Sequence, residues 1–351
     1  MIVRMKKIQL IVVLMIFIFC SCDNGWKLNE HESTFNYSSF KTNEKLTFKE
    51  LNQINGVAYE LVSYDSLLLI KETGKQDVIS IYSKNAGDFI NSELTIGKGP
   101  NEVITSSGYG VINDSIFWSY EGETTTIRFY HINDILNVEK AKILEKNHIG
   151  LERYAYRIVP LSMDTFLLTG CPSYKSKITI INNKGDVLDS IGKYYNNPFD
   201  DYTFLKGAHM YLLSIKPDKQ ALALGYYFTD VIEIYSIDGK LINAIHGPEN
   251  FDVEPKPSLK NMSQYFAHSQ KTRYAYVEVR TTDNYLYALY DGGSAENPSP
   301  NAKWIFVFDW EGTPIKSFEL SVGINNFIVD EENKKIYASS YSTGNIIYAN
   351  F

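Results

Sequence analysis

The chain has 351 residues, 44% of them hydrophobic, and a formal net charge of −7 at pH 7. That length is enough for one large hydrophobic core or two small ones. The acidic balance argues against nucleic acid as a partner and against adsorption on an anionic surface, because both require an excess of Lys and Arg.

The N-terminus predicts an export signal of the lipoprotein type. Three basic residues between positions 4 and 7 precede an apolar run from Ile8 to Phe19, which is followed by the letters FCSC. This order is typical of such signals, and the run of about 12 apolar residues is too short for a spanning helix. Residues 1–21 are therefore predicted to be the signal peptide, with Cys22 as the lipidation site. We expect an exported protein anchored through its lipid to the bacterial envelope, at the outer membrane, in either leaflet.

The cysteine content predicts a fold without disulfides. Cys20 leaves with the signal and Cys22 carries the lipid, so Cys171 remains alone. A single thiol cannot form an intramolecular disulfide, and stability must come from packing. No nucleophile motif surrounds Cys171, which is expected to be a half-buried thiol.

Residues 22–44 are predicted to be a flexible tether, because Asp23 to about Thr42 is polar and lacks a sustained period. From residue 45 to residue 351, short β-branched and tyrosine-rich runs alternate with turn residues. No helical period of comparable length occurs. The pattern predicts a single all-β domain over residues 45–351.

A repeat within this domain predicts its architecture. Equivalent strands start at Val78, Thr126, Lys177, Val231, Trp304 and Asn345. Six units of about 50 residues, each the length of a four-stranded blade, predict a six-bladed β-propeller with antiparallel blades. The last unit ends after its third strand, so a strand near Lys45 to Leu51 is predicted to complete that blade and close the ring.

The stretch LTIGKGPNEVI, Leu94 to Ile104, invites a phosphate-loop interpretation, but its glycine spacing is wrong and no helix follows. A turn at a blade edge is expected instead. Three other turns, NKGD, IDGK and WEGT, place Gly185, Gly239 and Gly312 where a hairpin needs positive φ.

The sequence resembles the TolB-like six-bladed β-propeller lipoproteins of Bacteroidota. The lipobox carries this resemblance together with IGKGPNE, DNYLYALYDG, WIFVFDWEGTPIKSFEL and the C-terminal FIVDEENKKIYASSYSTGNIIYANF. It implies a propeller fold and an envelope location. It implies no established activity and supplies no catalytic residues.

The sequence predicts no catalytic residue and no local metal site. Its six histidines form no HExxH motif, and no G-x-S-x-G elbow is present. A calcium ion in the central channel stays open, because its ligands would come from separate blades; Glu60, Glu102 and Asn326 are candidates. The alternative function is therefore a channel-metal hydrolase or lyase acting on a saccharide or lactone.

A second repeat, RYAY, predicts a binding face. It occurs at Arg153 to Tyr156 and at Arg273 to Tyr276, each time leading into an innermost strand, and aromatic residues crowd the neighbouring loops. Aromatic rings with a polar group suit sugars, peptides or proteins. The leading hypothesis is a binding or scaffold module for a protein, peptide or glycan partner, without a cofactor. The predicted ligand-binding residues are Arg153, Tyr154, Tyr202, Phe204, Tyr265, Arg273 and Tyr274.

Overall fold

A computed structural model describes residues 30–52, 54, 56–99, 101–137, 141–151, 155–194, 202–260, 262–294, 296 and 302–351. Three strands precede the first repeat: β1 (Glu32–Thr34), β2 (Thr42–Leu46) and β3 (Lys49–Asn52). Cys22 lies outside the described residues, and its predicted lipidation stays a prediction.

The repeats form six antiparallel sheets around a central channel. The first blade contains β4 (Ala58–Tyr64), β5 (Leu67–Glu72), β6 (Asp77–Ser83) and β7 (Phe89–Thr95). The second contains β8 (Gly108–Ile112), β9 (Ile116–Glu121), β10 (Thr126–His131) and β11 (Ile143–His148). The third contains β12 (Arg157–Pro160), β13 (Thr165–Thr169), β14 (Ser176–Asn182) and β15 (Val187–Lys193). The fourth blade contains β16 (Tyr211–Ile215), β17 (Ala221–Tyr226), β18 (Val231–Ser236) and β19 (Leu241–His246). The fifth contains β20 (Tyr276–Thr281), β21 (Leu286–Tyr290), β22 (Trp304–Phe308) and β23 (Pro314–Leu320). The sixth contains β24 (Ile324–Asp330), β25 (Lys335–Ser340) and β26 (Ile346–Asn350). The predicted six-bladed β-propeller is confirmed, and the six repeated segments are its third strands. Within the described ranges, two short helices, α1 (Ile132–Leu136) and α2 (Thr203–Ala208), lie between strands.

The ring is closed by an N-terminal strand, as predicted. Strand β3 pairs antiparallel with β26, with Glu50 opposite Ile347, and so supplies the fourth strand of the last blade. The predicted closing segment, Lys45 to Leu51, is however divided between two blades. Its first two residues belong to β2, which runs parallel to β23 of the fifth blade.

The described part of the predicted tether, residues 30–44, is part of the fold and not a free linker. Strand β1 adds to the fourth blade in parallel with β19. Between β1 and β2, Phe35 and Phe40 are buried and pack on Phe306 and Phe308 of the fifth blade. The polar composition of this segment predicted a linker, because two phenylalanines among polar residues show no sequence period. Their burial depends on the neighbouring blades, which the composition of the segment does not reveal.

The hydrophobic core consists of clusters between adjacent blades. The first and second blades meet through Leu69 and Ile79 on one side and Phe117 on the other. The fifth and sixth meet in the same way through Phe318 and Phe327. Further clusters fill the other boundaries of the ring. Since each blade buries both of its faces, its strands are apolar on both sides, which is why the repeat is visible in the sequence.

The turns follow the sequence prediction. Gly185, Gly239 and Gly312 adopt φ of 89°, 88° and 87°, in the region that L side chains avoid. In the stretch from Leu94 to Ile104, the described residues form a corner between the first two blades. There the Gly99 N–H donates to the Glu102 carboxylate at 2.7 Å. Glu102 therefore caps a turn and does not line the channel.

No helix within the described ranges is long and apolar enough to cross a membrane.

Candidate functional site

The longest connections lie on one end of the ring. Neighbouring strands of a blade are antiparallel, so every connection from an outermost strand to the next innermost strand emerges on the same end, which we call the upper face. Two of these connections are long: residues 194–210, which include α2, and residues 247–275. They join the third blade to the fourth and the fourth to the fifth.

The two long connections pack on each other through an aromatic cluster. Phe204 on α2 contacts Phe266 edge to face at 5.6 Å, and Phe266 lies 5.3 Å from Phe228. The close approach requires a glycine, because a Cβ at Gly207 would lie 2.9 Å from the Phe266 Cβ. The upper face thus has an apolar foundation built by residues far apart in the chain.

Part of the predicted binding set belongs to this foundation. Tyr202 is 6% exposed and Phe204 is 2% exposed, so neither side chain can contact a ligand at the surface. Packing within the aromatic clusters of the upper face is the physical reason. Arg153 and Tyr154 lie outside the described residues, so the face predicted from the first RYAY copy stays a prediction there.

The second RYAY copy leads into an innermost strand, as predicted, since β20 begins at Tyr276. The Arg273 guanidinium forms an ion pair with Glu249, donates to the Gly292 carbonyl at 2.7 Å and stacks on Phe251 at 4.1 Å. These contacts tie three segments of the upper face together. They also occupy much of the guanidinium that a ligand would use.

Tyr274 is half-buried beside the aromatic cluster. Its ring meets Tyr227 edge to face at 5.4 Å and lies 5.8 Å from Phe228. Its side chain is neither fully exposed nor fully enclosed.

Tyr265 differs from the other described residues of the predicted set, because it is 84% exposed. Leu259, in the same connection, is 73% exposed. Both residues belong to a loop whose Phe266 is packed into the cluster below. The loop therefore presents two large apolar side chains above a packed base.

Asp230 holds the start of this loop. Its carboxylate is fully buried and accepts hydrogen bonds from the backbone N–H groups of Glu249 and Asn250, at 2.8 and 2.9 Å. The hydroxyls of Tyr276 and Tyr290 donate to it at 3.3 Å. Burial raises the pKa of Asp230 to about 7, although these four donors oppose the shift.

The central channel contains a cavity of about 410 Å³. Innermost strands line it with a mixture of charged and apolar side chains. Glu60, Arg157 and Arg280 supply charge from the first, third and fifth blades, and Val62 and Leu213 belong to its apolar walls. The cavity is thus neither a ring of carboxylates nor a purely apolar plug.

Arg280 engages the polar groups at its end of the channel. Its guanidinium donates to the Asn326 side-chain oxygen at 2.9 Å and to the Phe327 carbonyl at 2.8 Å. The Asn326 amide in turn donates to Glu278 at 2.5 Å. A cation would have to displace Arg280 from these oxygens. Among the described residues, no group of three or more His, Cys, Asp or Glu could hold a metal ion.

The sequence analysis named Glu60 and Asn326 but missed charged residues of the channel such as Arg157, Glu278 and Arg280. A signal was available, because Glu278 and Arg280 alternate with valines in β20, and Arg157 begins the otherwise apolar β12. A charged residue in an innermost strand must face either the channel or a neighbouring blade. Which of the two it faces depends on register, and a single sequence does not contain that information.

These features define a class of protein: a closed six-bladed β-propeller with elaborated loops on one face and a polar cavity in its channel. The chain belongs to the TolB-like 6-blade propeller-like family, whose model matches residues 33–332. The resemblance found in the sequence is thereby confirmed.

Two proteins from Bacteroides are among the solved structures that share this fold. A member of the duf4221 family from Bacteroides vulgatus is 13% identical with a TM-score of 0.62, over 88% of this chain and 96% of that chain. A protein from Bacteroides fragilis described as exported is 13% identical with a TM-score of 0.56, over 91% and 98%. At such identity the likeness shows the fold alone. No functionally curated protein matches the sequence.

Proposed function

We propose that the protein is a lipid-anchored binding module of the cell envelope, which holds a protein, peptide or glycan partner on the upper face of its propeller. The observation that carries this proposal is the 84% exposure of Tyr265 on a loop anchored by a packed aromatic base. Large exposed aromatic side chains on a rigid support are typical centres of binding energy.

The support for this loop favours recognition over chemistry. Asp230 fixes one end of the connection, Arg273 ties it to the fifth blade through the Gly292 carbonyl, and Phe266 packs it onto α2. A loop held at several points loses little conformational entropy when a partner binds, which favours affinity. Propellers place binding sites on such loops because the ring keeps them in fixed positions.

The channel-metal enzyme has less support than the binding module. Of its three candidate ligands, Glu102 caps a turn outside the channel, and Asn326 is hydrogen-bonded to Arg280 and Glu278. Only Glu60 lines the cavity.

The lipid anchor is supported by the signal at the N-terminus, and export agrees with the description of the Bacteroides fragilis neighbour. Replacing Cys22→Ser is expected to release the protein into the soluble fraction and to leave the precursor uncleaved. Fractionation and metabolic labelling with a radioactive fatty acid test this. Label retained on the variant would refute acylation at Cys22.

The binding face is tested by site-specific photo-crosslinking in cells. A photoreactive phenylalanine analogue replaces Tyr265 in one variant and, as the control, Asp283 in another; Asp283 is exposed in a turn on the opposite end of the ring. We expect a discrete adduct at position 265 and none at position 283. Equal adducts at both positions, or none at 265 together with no glycan-array signal, would contradict the proposal.

With the partner in hand, Tyr265→Ala measures the contribution of the side chain. Loss of a central aromatic residue costs about 2 kcal/mol, or about thirtyfold in affinity. Thermal unfolding should not change, because the side chain is exposed.

A further inference from the structure

We propose that the central channel is a second binding site, which takes a small organic anion through its carboxylate, with the Arg157 guanidinium as the group that holds it. The ligand carboxylate can belong to a free organic acid or to the C-terminus of a peptide, since both present the same planar anion. This inference concerns the channel and does not rest on the upper face.

The size and lining of the cavity fit such a ligand. Its volume of about 410 Å³ lies within the range of roughly 300 to 1,000 Å³ that small-molecule sites occupy. Val62, Val159 and Leu213, from three blades, give it apolar walls. A ligand with a short carbon skeleton and one charged end can therefore bury its apolar part here.

The charge of the cavity has the opposite sign to that of the whole chain. Four cationic side chains line it, Arg157, Lys216, Lys219 and Arg280, against the two carboxylates of Glu60 and Asp114. The chain as a whole carries −7. A cleft lined by cations between low-dielectric walls concentrates anions.

Three of the four cations are already engaged. Arg280 is bound to Asn326 and the Phe327 carbonyl. Lys219 donates to Asn113 and to the Leu161 carbonyl, both at 2.7 Å. Lys216 is paired with Asp218 at 2.6 Å.

Arg157 is the cation that remains available. Within the described part of the chain its guanidinium forms no hydrogen bond and no ion pair, and its side chain is exposed to the cavity. The planar fork of a guanidinium matches a carboxylate with two parallel hydrogen bonds. The geometry therefore identifies Arg157 as the anion-binding group.

Glu60 on the first blade competes with the ligand for this cation. Burial raises the pKa of the Glu60 carboxyl, while Lys71, Arg157 and Arg280 act to lower it. A bound carboxylate would take over the attraction of Arg157 and would be repelled by an ionised Glu60. Removing the charge of Arg157 should therefore lower the affinity for the carboxylate ligand, and removing the charge of Glu60 should leave it unchanged or raise it.

Isothermal titration calorimetry tests the site with two probes, hexanoate and the tripeptide Ala-Val-Ala with a free C-terminus, and with the C-terminal amide of that tripeptide as the neutral comparison. We expect at least one carboxylate probe to bind and the amide not to bind. Hexanoate binding alone indicates a free acid as the natural source, and tripeptide binding alone indicates a peptide terminus.

The variants decide which residue is responsible. Arg157→Gln should lower the affinity for the bound probe at least about tenfold, because a charge-assisted hydrogen-bonded pair is lost. Arg157→Lys should recover part of that affinity. Glu60→Gln should bind as tightly as the wild type or more tightly. Lys184→Gln is the matched control, since it removes one exposed positive charge from the same blade outside the cavity.

Three results would overturn the proposal: no binding of either carboxylate up to about 10 mM, unchanged affinity in Arg157→Gln, or equal weakening in Glu60→Gln and Arg157→Gln. Circular dichroism and thermal unfolding of each variant establish that the ring is intact. If Arg157→Gln proves unfolded, the Arg157→Lys and Glu60→Gln variants still test the expected order of affinities.

Discussion

The buried carboxyl of Asp230 should make the stability of the protein depend on pH in the opposite direction to most carboxylates. Its pKa rises from 3.8 to about 7 on folding, because burial disfavours the charged form. The folded state therefore holds this proton more tightly than the unfolded chain. The contribution to stability is present at low pH and is lost as the pH rises through about 7.

The magnitude follows from the shift. At pH 5 the carboxyl lies about two units below its folded pKa, and each unit corresponds to about 1.4 kcal/mol, so about 3 kcal/mol is lost between pH 5 and pH 8. Asp230→Asn removes the titration but keeps the shape and one acceptor oxygen for the Glu249 and Asn250 N–H groups. The free energy of unfolding of the wild type minus that of the variant should therefore fall by about 3 kcal/mol over this interval.

Urea denaturation at pH 5 and pH 8, followed by tryptophan fluorescence, measures both free energies of unfolding. Subtracting the variant cancels the other titrating groups, so the difference isolates Asp230. A difference that stays constant between the two pH values, or grows toward pH 8, would refute the assignment of a raised pKa to this carboxyl.

Other predictions concern the packing of the ring and its loops. Phe35→Ala should lower the free energy of unfolding by about 3 kcal/mol, because it removes edge-to-face contacts at 5.1 Å with two rings of the fifth blade; Ser38→Ala, in an exposed turn, is the control for the same melts. Gly207→Ala should loosen the contact with Phe266 at a cost of about 1 to 3 kcal/mol, visible as faster hydrogen exchange in residues 247–275, and unchanged exchange there would contradict the close approach. Deleting residues 30–52 removes β1, β2 and β3 and should cause aggregation through the exposed edge of β26, whereas a soluble monomer with unchanged melting would mean that β3 does not close the ring.

The sequence alone determined the architecture of this protein, because the architecture is repeated. Each blade must bury both of its faces, so every repeat needs the same apolar third strand, and the strands starting at Val78 and Val231 show this period directly. Turn glycines such as Gly239 are required locally by positive φ and are visible in the same way. The need for a closing strand followed from the incomplete last repeat.

The tertiary structure alone decided where the N-terminal segment lies and which side chains meet. Phe35 is buried only because the outer edges of the fourth and fifth blades provide a surface for the segment around it. Arg157 and Glu60 share a cavity only because innermost strands about a hundred residues apart converge on one axis, as in any propeller.

The upper face shows most clearly what the sequence by itself could not predict. Tyr265 and Phe266 are adjacent aromatic residues in an irregular loop, and no period assigns one to the interior and the other to the solvent. The structure packs Phe266 on α2 and leaves Tyr265 84% exposed. The direction of a side chain in a loop is set by the surface on which the loop rests, and here that surface is built by Phe204 and Phe228 from other parts of the chain.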